Sequence, residues 1–365
     1  MTFRMLDFIR EQPDAVANTL ESVQARLPEF RDIVEGDGVD QVIVAGLGSS
    51  YTASQMASPL LRRCLATPVF VTTASEVGLD AGLKLGPRTV VLLVSRSGER
   101  GAIVDALTAA KAAGATCVAV TAVESSLLAQ EADFAIVTGE GPESTYAKTK
   151  SVMATAAALM QLGVALDLVG GEASSRLAQA LADVPQLLAT AIEDAERDVE
   201  LVSELLPSYR MALVTGSTGN QGVAMEAALK FQEAAGVVTE WDETGNALHG
   251  AVSILDASWL HVALVTRADQ ELHRSLLGLA GQFGAGRLCV AEPGVTVDGS
   301  SDALVGVPEA GDPLIAPLLF LPPVQLLTYQ FALARGRNPD EPPFADVMLQ
   351  AMLPPGRSEP DWRAA

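Results

Sequence analysis

The chain alternates short apolar, β-branched runs with longer stretches whose apolar positions recur every three to four residues. The first pattern reads as buried parallel strands and the second as helices that cover them. Strands are expected at QVIVAGLGSS (41–50), PVFVTTAS (68–75), RTVVLLVSRSGE (88–99), ATCVAVT (115–121) and DFAIVTG (133–139). Helices fall between them, as at SQMASPLLRRCL and at 101–113. The stretch from about 150 to 206 carries no strand signal and reads as helical. The pattern then restarts at YRMALVTGSTGNQG (209–222) and continues through VVTEW, LHVALVT, RLCVAEP and ALVGVP. The fold class is therefore α/β, with two parallel five-stranded sheets, each covered by helices on both faces. The return of strand, Ser/Gly turn and helix at 209–222, after 41–55, suggests an internal duplication. The expected boundaries are a helical lead-in at 1–35, opened at Pro13 and Asp14, and a first domain at 36–165. A helical connector at 166–206, a second domain at 207–336 with a late helix near 313–335, and a Pro-rich tail at 337–365 complete the division.

Composition narrows the function classes. With 365 residues, 49% hydrophobic and 19% charged, the chain is long enough for two well-packed globular domains. A net charge of −21 argues against nucleic-acid backbones and anionic membranes as partners. It does not exclude a small anionic ligand, since a local site can be basic within an acidic shell. The three cysteines, Cys64, Cys117 and Cys289, have no metal spacing, and the latter two sit in strand-like runs as buried thiols. No leader pattern and no apolar run of 18 residues stand out, so a soluble, cytoplasmic protein is the expectation. Arginine outnumbers lysine, which leaves Lys84, Lys111, Lys148, Lys150 and Lys230 as the few lysines. The last three lie in motif-like segments.

The segment Met225–Gly250, MEAALKFQEAAGVVTEWDETGNALHG, concentrates the candidate chemistry. Glu226, Lys230 and Glu233 fall within about 60° of arc on a 3.6-residue helix. His249 follows after a Gly-punctuated stretch. A carboxylate, an ammonium and an imidazole are the groups that move protons around a carbonyl. A solvated i,i+4 ion pair is the plainer reading of the same charges. The flanking Gly222, Ala227 and Ala234 favour a close-packed cleft instead.

Two turns, GLGSSY (46–51) and SRSGER (95–100), follow strands and place hydroxyls and backbone N–H groups at helix starts. Such turns bind phosphate at the carboxyl edge of a parallel sheet. Taken singly they are also ordinary caps. With STYAKTKS (144–151) as a third hydroxyl-and-cation cluster, a phosphate site is the stronger reading. GLGSSY departs from the dinucleotide fingerprint because Tyr51 stands where the third glycine belongs, and GSTGNQG lacks the Gly-Lys-Ser/Thr of a P-loop. NAD and ATP are not expected, and no cofactor is. His261, in the apolar run WLHVALV, reads as a hydrogen-bonded core residue, and His273, in QELHRS, as solvated. No histidine pair has metal-ligand spacing, so no metal is expected.

Together GSSY (48–51), SRSGE (95–99), AKTKS (147–151), EAALKFQE (226–233) and HG (249–250) resemble the double sugar isomerase (SIS) domain family. The likeness runs over roughly residues 40–335. It is closest to the isomerase half of glucosamine-6-phosphate synthase and to stand-alone amino-sugar phosphate isomerases and deaminases. The resemblance implies two SIS domains, each a flavodoxin-like α/β sandwich. It implies phosphosugar binding by Ser49, Ser50, Ser95 and Ser97. It makes Glu233 the base between C1 and C2, with Lys230 beside it and His249 the ring-opening group. It also implies a homodimer with shared active sites, His249 coming from the neighbouring subunit.

The implied substrate is a phosphorylated sugar or amino sugar. The implied reaction is aldose–ketose isomerisation through an enediol or enolamine, with deamination of a 2-amino sugar phosphate. A non-catalytic sugar-phosphate-binding regulator, or a relative with altered chemistry, is the alternative. Three departures add cations near the cradle, namely Arg96, Arg100 and Lys148, and suggest a more anionic ligand. PPFADVML (342–349) lacks the lysine with which the synthase forms an imine, and Lys148 is a candidate substitute. With no glutaminase domain in this sequence, glutamine-dependent amination is not expected of it.

Overall fold

The computed structural model describes residues 3–34, 38–79, 82–99, 101–167, 170–297, 299–343 and 345–351. Each β-branched run becomes a strand: β1 (Gln41–Gly46), β2 (Val69–Thr73), β3 (Thr89–Val94), β4 (Thr116–Thr121) and β5 (Phe134–Val137). They form one all-parallel sheet in the order β2-β1-β3-β4-β5. β3 is buried along its whole length, as the run TVVLLV requires of a strand covered on both faces. On one face Ile43, Val91, Leu93, Cys117 and Ala119 pack with Val77, Ile103, Ala106 and Leu107. The helix Lys150–Ala165 is apolar nearly all round and buried nearly all round, against the helices Ser49–Cys64 and Gln12–Gln24.

The second half contains β6 (Met211–Gly216), β7 (Val238–Asp242), β8 (Trp259–Val265), β9 (Gly286–Ala291) and β10 (Ala303–Gly306). Their order, β10-β9-β8-β6-β7, is that of the first sheet when strands are numbered within each half. Both sheets thus have the 2-1-3-4-5 order, with every carboxyl end on one edge. The chain is two compact units by contact. One comprises Gln12–Ser144, Lys150–Pro185 and Phe344–Ala365 and holds the first sheet. The other comprises Met1–Glu11, Thr145–Thr149 and Gln186–Pro343 and holds the second.

The core of the second unit includes the helix Pro317–Ala334, into which Phe331 brings an edge-to-face contact with Phe231 at 5.2 Å. This 18-residue helix is uncharged and interrupted only by polar residues such as Gln325, Thr328 and Gln330. It is long and apolar enough to cross a bilayer, yet 83% of it is buried within the fold, as a core helix is. All three cysteines are buried, and burial raises the thiols of Cys117 and Cys289 to about 11, so both are inert.

Candidate functional site

In the unit holding the first sheet, adjacent strands β1 and β3 both end in the Ser-rich turns. Gly48 takes φ +53° and ψ −129°, and the helix of Ser49 and Ser50 starts directly after it. Gly46 is required because a Cβ there would meet the Ser50 carbonyl carbon at 2.9 Å. Ser49 and Ser50 are half-buried. In the β3 turn Ser95 Oγ accepts from Gly98 N at 3.2 Å, and Gly98 takes φ +64°. The turn is stitched to β4 by Thr121 Oγ1, which donates to the Arg96 carbonyl at 2.9 Å. Ser97 is half-buried. Arg100 lies outside the described residues.

Arg96 turns its Nε to Ser151 Oγ at 3.0 Å. Ser151 Oγ in turn donates to Glu143. Glu143 is fully buried and also accepts the backbone N–H groups of Lys150 (3.2 Å) and Ser151 (3.1 Å). It therefore caps the helix Lys150–Ala165 with a full negative charge at the positive end of its dipole. The sequence reading missed Glu143 and also its neighbour Glu140, which is 5% exposed. Acidic residues in a Gly-rich stretch, TGEGPES, look like turn formers. A buried carboxylate thus accompanies the Arg96 guanidinium, reached through Ser151.

The unit holding the second sheet carries the other candidates. Lys148 is half-buried and donates from Nζ to the Thr145 carbonyl at 2.6 Å. Neighbouring Thr149 offers its carbonyl to Gln325 Nε2 at 3.2 Å, on the same core helix that packs against the helix Gly219–Lys230. Lys230 ends that helix. Its Nζ hydrogen-bonds Glu233 Oε2 and lies 3.5 Å from Glu226 Oε1. Side-chain exposure is 0% at Glu226, 1% at Lys230 and 20% at Glu233. The plainer reading of a solvated pair is excluded, because the cluster is built into the interior and only Glu233 reaches outward.

Glu233 does not sit on the continuous α-helix the spacing implied. Residues Phe231–Ala235 form a π-helical turn that ends at Gly236 in the left-handed region, φ +60°. One extra residue in a turn rotates the side chains after it about the helix axis, and such turns recur at functional sites. His249 ends the short helix Asn246–His249 and is exposed, with no hydrogen-bond partner for its ring among the described residues. The loop before it is anchored. Glu243 accepts from Ser217 Oγ (3.2 Å) and Asn246 N (2.9 Å), and Asn246 Nδ2 donates to Asp242 (2.7 Å).

His261 is the buried core residue expected, 2.9 Å from Thr215 Oγ1, and burial with the nearby His273 lowers it to about 3, so it is neutral. The expectation that His273 is solvated is wrong. It is fully buried, 3.1 Å from Thr244 Oγ1 and 3.4 Å from Asp269. Its helix Gln270–Gln282 buries positions 273, 276, 277 and 280, one stripe at helical spacing. No group of three His, Cys, Asp or Glu side chains suited to a metal occurs among the described residues.

Residues 38–165 match the SIS domain family. The chain is 29% identical over 352 residues to the glutamine–fructose-6-phosphate aminotransferase (isomerizing) of Leifsonia xyli subsp. xyli, which covers 92% of this chain and 56% of that protein. It thus spans about half the length of the curated relatives it matches. Among solved structures, the C-terminal domain of glucosamine-fructose-6-phosphate aminotransferase from Francisella tularensis superposes with a TM-score of 0.84 at 22% identity, covering 94% of this chain and 99% of that one. Glucosamine-6-phosphate deaminase from Thermotoga maritima superposes at 0.70 with 24% identity, covering 89% and 97%. Residues 38–165 thus match the SIS domain family, and the fold over nearly the whole chain is that of these two solved structures.

Proposed function

We propose that the protein is a phosphosugar aldose–ketose isomerase acting on an amino-sugar phosphate, with deamination, and with Glu233 as the base. The observation that carries this reading is Glu233 itself. It is the outward member of a buried Glu226–Lys230–Glu233 cluster, set on a π turn. A carboxylate held by a buried ammonium is fixed in place while one oxygen stays available.

In the proposed reaction the Ser49/Ser50 and Ser95/Ser97 turns hold the phosphate. His249 helps open the ring, supplied by the neighbouring subunit of a homodimer, in keeping with its exposed and unpartnered ring. Glu233 takes the C2 proton of the open-chain 2-amino aldose, and the electron pair moves to form the enolamine. Return of the proton to C1 gives a C2 imine. Water adds there, and ammonia leaves with the C2–N electron pair to give the 2-ketose. Lys230 holds Glu233 throughout and touches no substrate atom.

The test is ammonia release and ketose formation from glucosamine 6-phosphate, with isomerisation assayed on a panel of hexose phosphates. Glu233→Gln should lower kcat by about 10²–10⁴-fold with substrate binding retained. Binding without any turnover by the wild-type chain across that panel would replace the enzyme with a sugar-phosphate-binding regulator.

A further inference from the structure

Glu140 stands two residues past the β5–Thr138 step, at the carboxyl edge of the first sheet, and the chemistry above makes no use of it. It is 5% exposed, and neither carboxylate oxygen has a hydrogen-bond partner among the described residues. The Thr138 hydroxyl lies close enough to favour the ionised form, but it donates to the Thr121 carbonyl at 3.2 Å. A buried carboxylate without partners is costly unless a cation lies close. The charges that act on Glu140 are Arg96, which favours its ionised form, and Glu143, which opposes it. From the covering helix Gln12–Gln24, the residues packed against this loop at Gly139 are Asn18 and Thr19, and both are neutral. Arg96 spends its Nε on Ser151 and forms no ion pair with Glu140 within 4.0 Å. Thr121 links the two segments, its Oγ1 donating to the Arg96 carbonyl at 2.9 Å and its own carbonyl accepting Thr138 N at 2.9 Å, so Glu140 and the half-buried Arg96 stand at one end of the first sheet without an ion pair between them.

We propose that Glu140 is a specificity-determining residue of the cradle: an internal counter-charge to Arg96 that offsets its pull on anions and fits the site to a sugar monophosphate rather than a bisphosphate. This rests on the phosphosugar reading and deepens it. An incoming anion meets Arg96 and Glu140 together. With Glu140 ionised the two nearly cancel, and the hydroxyls and turn amides do the selecting. With Glu140 protonated Arg96 acts alone and any anion binds more tightly.

The sign follows from burial, which raises the Glu140 carboxyl above its ordinary value. Anion affinity thus rises as pH falls through the Glu140 titration. Glu143 accepts three hydrogen bonds, from Lys150 N, Ser151 N and Ser151 Oγ.

The test is calorimetric titration of the full chain with sodium sulfate, whose charge is constant over the range, at two pH values on either side of the Glu140 titration and at fixed ionic strength. Glucosamine 6-phosphate and fructose 1,6-bisphosphate are titrated at the higher pH. The wild type should bind sulfate about tenfold more tightly at the lower pH. Glu140→Gln should bind tightly at both, lose that difference, and gain about tenfold for the bisphosphate. Glu140→Ala should do the same, which separates charge from packing. In an Arg96→Gln background the Glu140→Gln change should do little, because an uncompensated buried carboxyl is already neutral. Wild-type pH dependence and selectivity persisting in Glu140→Gln would overturn this proposal alone. If the wild type binds neither sulfate nor glucosamine 6-phosphate, the phosphosugar reading fails and takes this proposal with it.

Discussion

Thr218 is the only non-glycine residue with positive φ among the described residues, at φ +54° and ψ −127°. Its counterpart ahead of the first Ser-rich helix is Gly48, at φ +53° and ψ −129°. The same strand–turn–helix corner is thus built once with the residue that suits it and once without. A β-branched side chain in this region stores roughly 1–3 kcal/mol of strain. Glycine would relieve that and lose part of the gain to its freer unfolded chain, about 0.5–1 kcal/mol. Thr218→Gly should therefore stabilise the protein by about 1 kcal/mol, read as a raised urea midpoint. An unchanged or lowered midpoint would show that Thr218 makes a compensating contact. At this scale the sequence was partly legible. Spacing alone put Glu226, Lys230 and Glu233 together, but burial decided between a solvated pair and an interior cluster, and burial depends on neighbours far along the chain. His273 was readable in retrospect, since it is in phase with Leu276, Leu277 and Ala280. Its charged flanks masked that phase. Glu140 and Glu143 carried no periodic signal, because their burial comes from helices packed over a loop.

Strand positions were the most legible elements, since a parallel sheet covered on both faces demands continuous β-branched runs, as in β1, β3, β4 and β8. The π turn at Phe231–Ala235 was not legible. An Ala-rich helix and a π turn share one composition, and the extra residue is accommodated by packing of Phe231 on Phe331 and by the left-handed Gly236. The clearest element-level dependence lies at the Lys150–Ala165 helix. Its amino terminus would be buried with unsatisfied N–H groups were it not for Glu143. Glu143→Ala removes a charged acceptor from two amides and a hydroxyl. The cost should be about 2–3 kcal/mol. Glu143→Gln should recover part of it. Chemical denaturation gives the magnitude, and amide exchange at Lys150 and Ser151 locates the loss. Equal stability of all three proteins would mean the cap is idle.

Each half of the molecule repeats one strand order, yet the unit holding the second sheet is assembled from three separate stretches of chain. Sequence order gave no hint of this, because the linking contacts are single residues in a Pro-rich segment set apart from both domains as a tail. Residues 352–365 of that tail lie outside the described residues, but Asp340 is buried and does the joining. Its carboxylate accepts the backbone N–H groups of Arg4 (2.9 Å) and Met5 (2.8 Å), capping the helix Arg4–Arg10. Its own carbonyl accepts Tyr146 N at 3.0 Å, which ties in the stretch that carries Lys148. The capped helix buries Met5 and Ile9 against the core helix Pro317–Ala334. A seven-residue helix has little stability of its own, so its persistence depends on this cap and this packing. Asp340→Ala should cost about 1–2 kcal/mol. The loss should be local at first: amides of Arg4–Arg10 should exchange faster while those of β1, β3 and β4 keep their protection. Because the backbone carbonyl of residue 340 survives the substitution, the Tyr146 amide should stay protected as well. Uniform loss of protection across both sheets would instead mean that Asp340 holds the whole chain together, and unchanged exchange in Arg4–Arg10 would mean that packing of Met5 and Ile9 suffices without the cap.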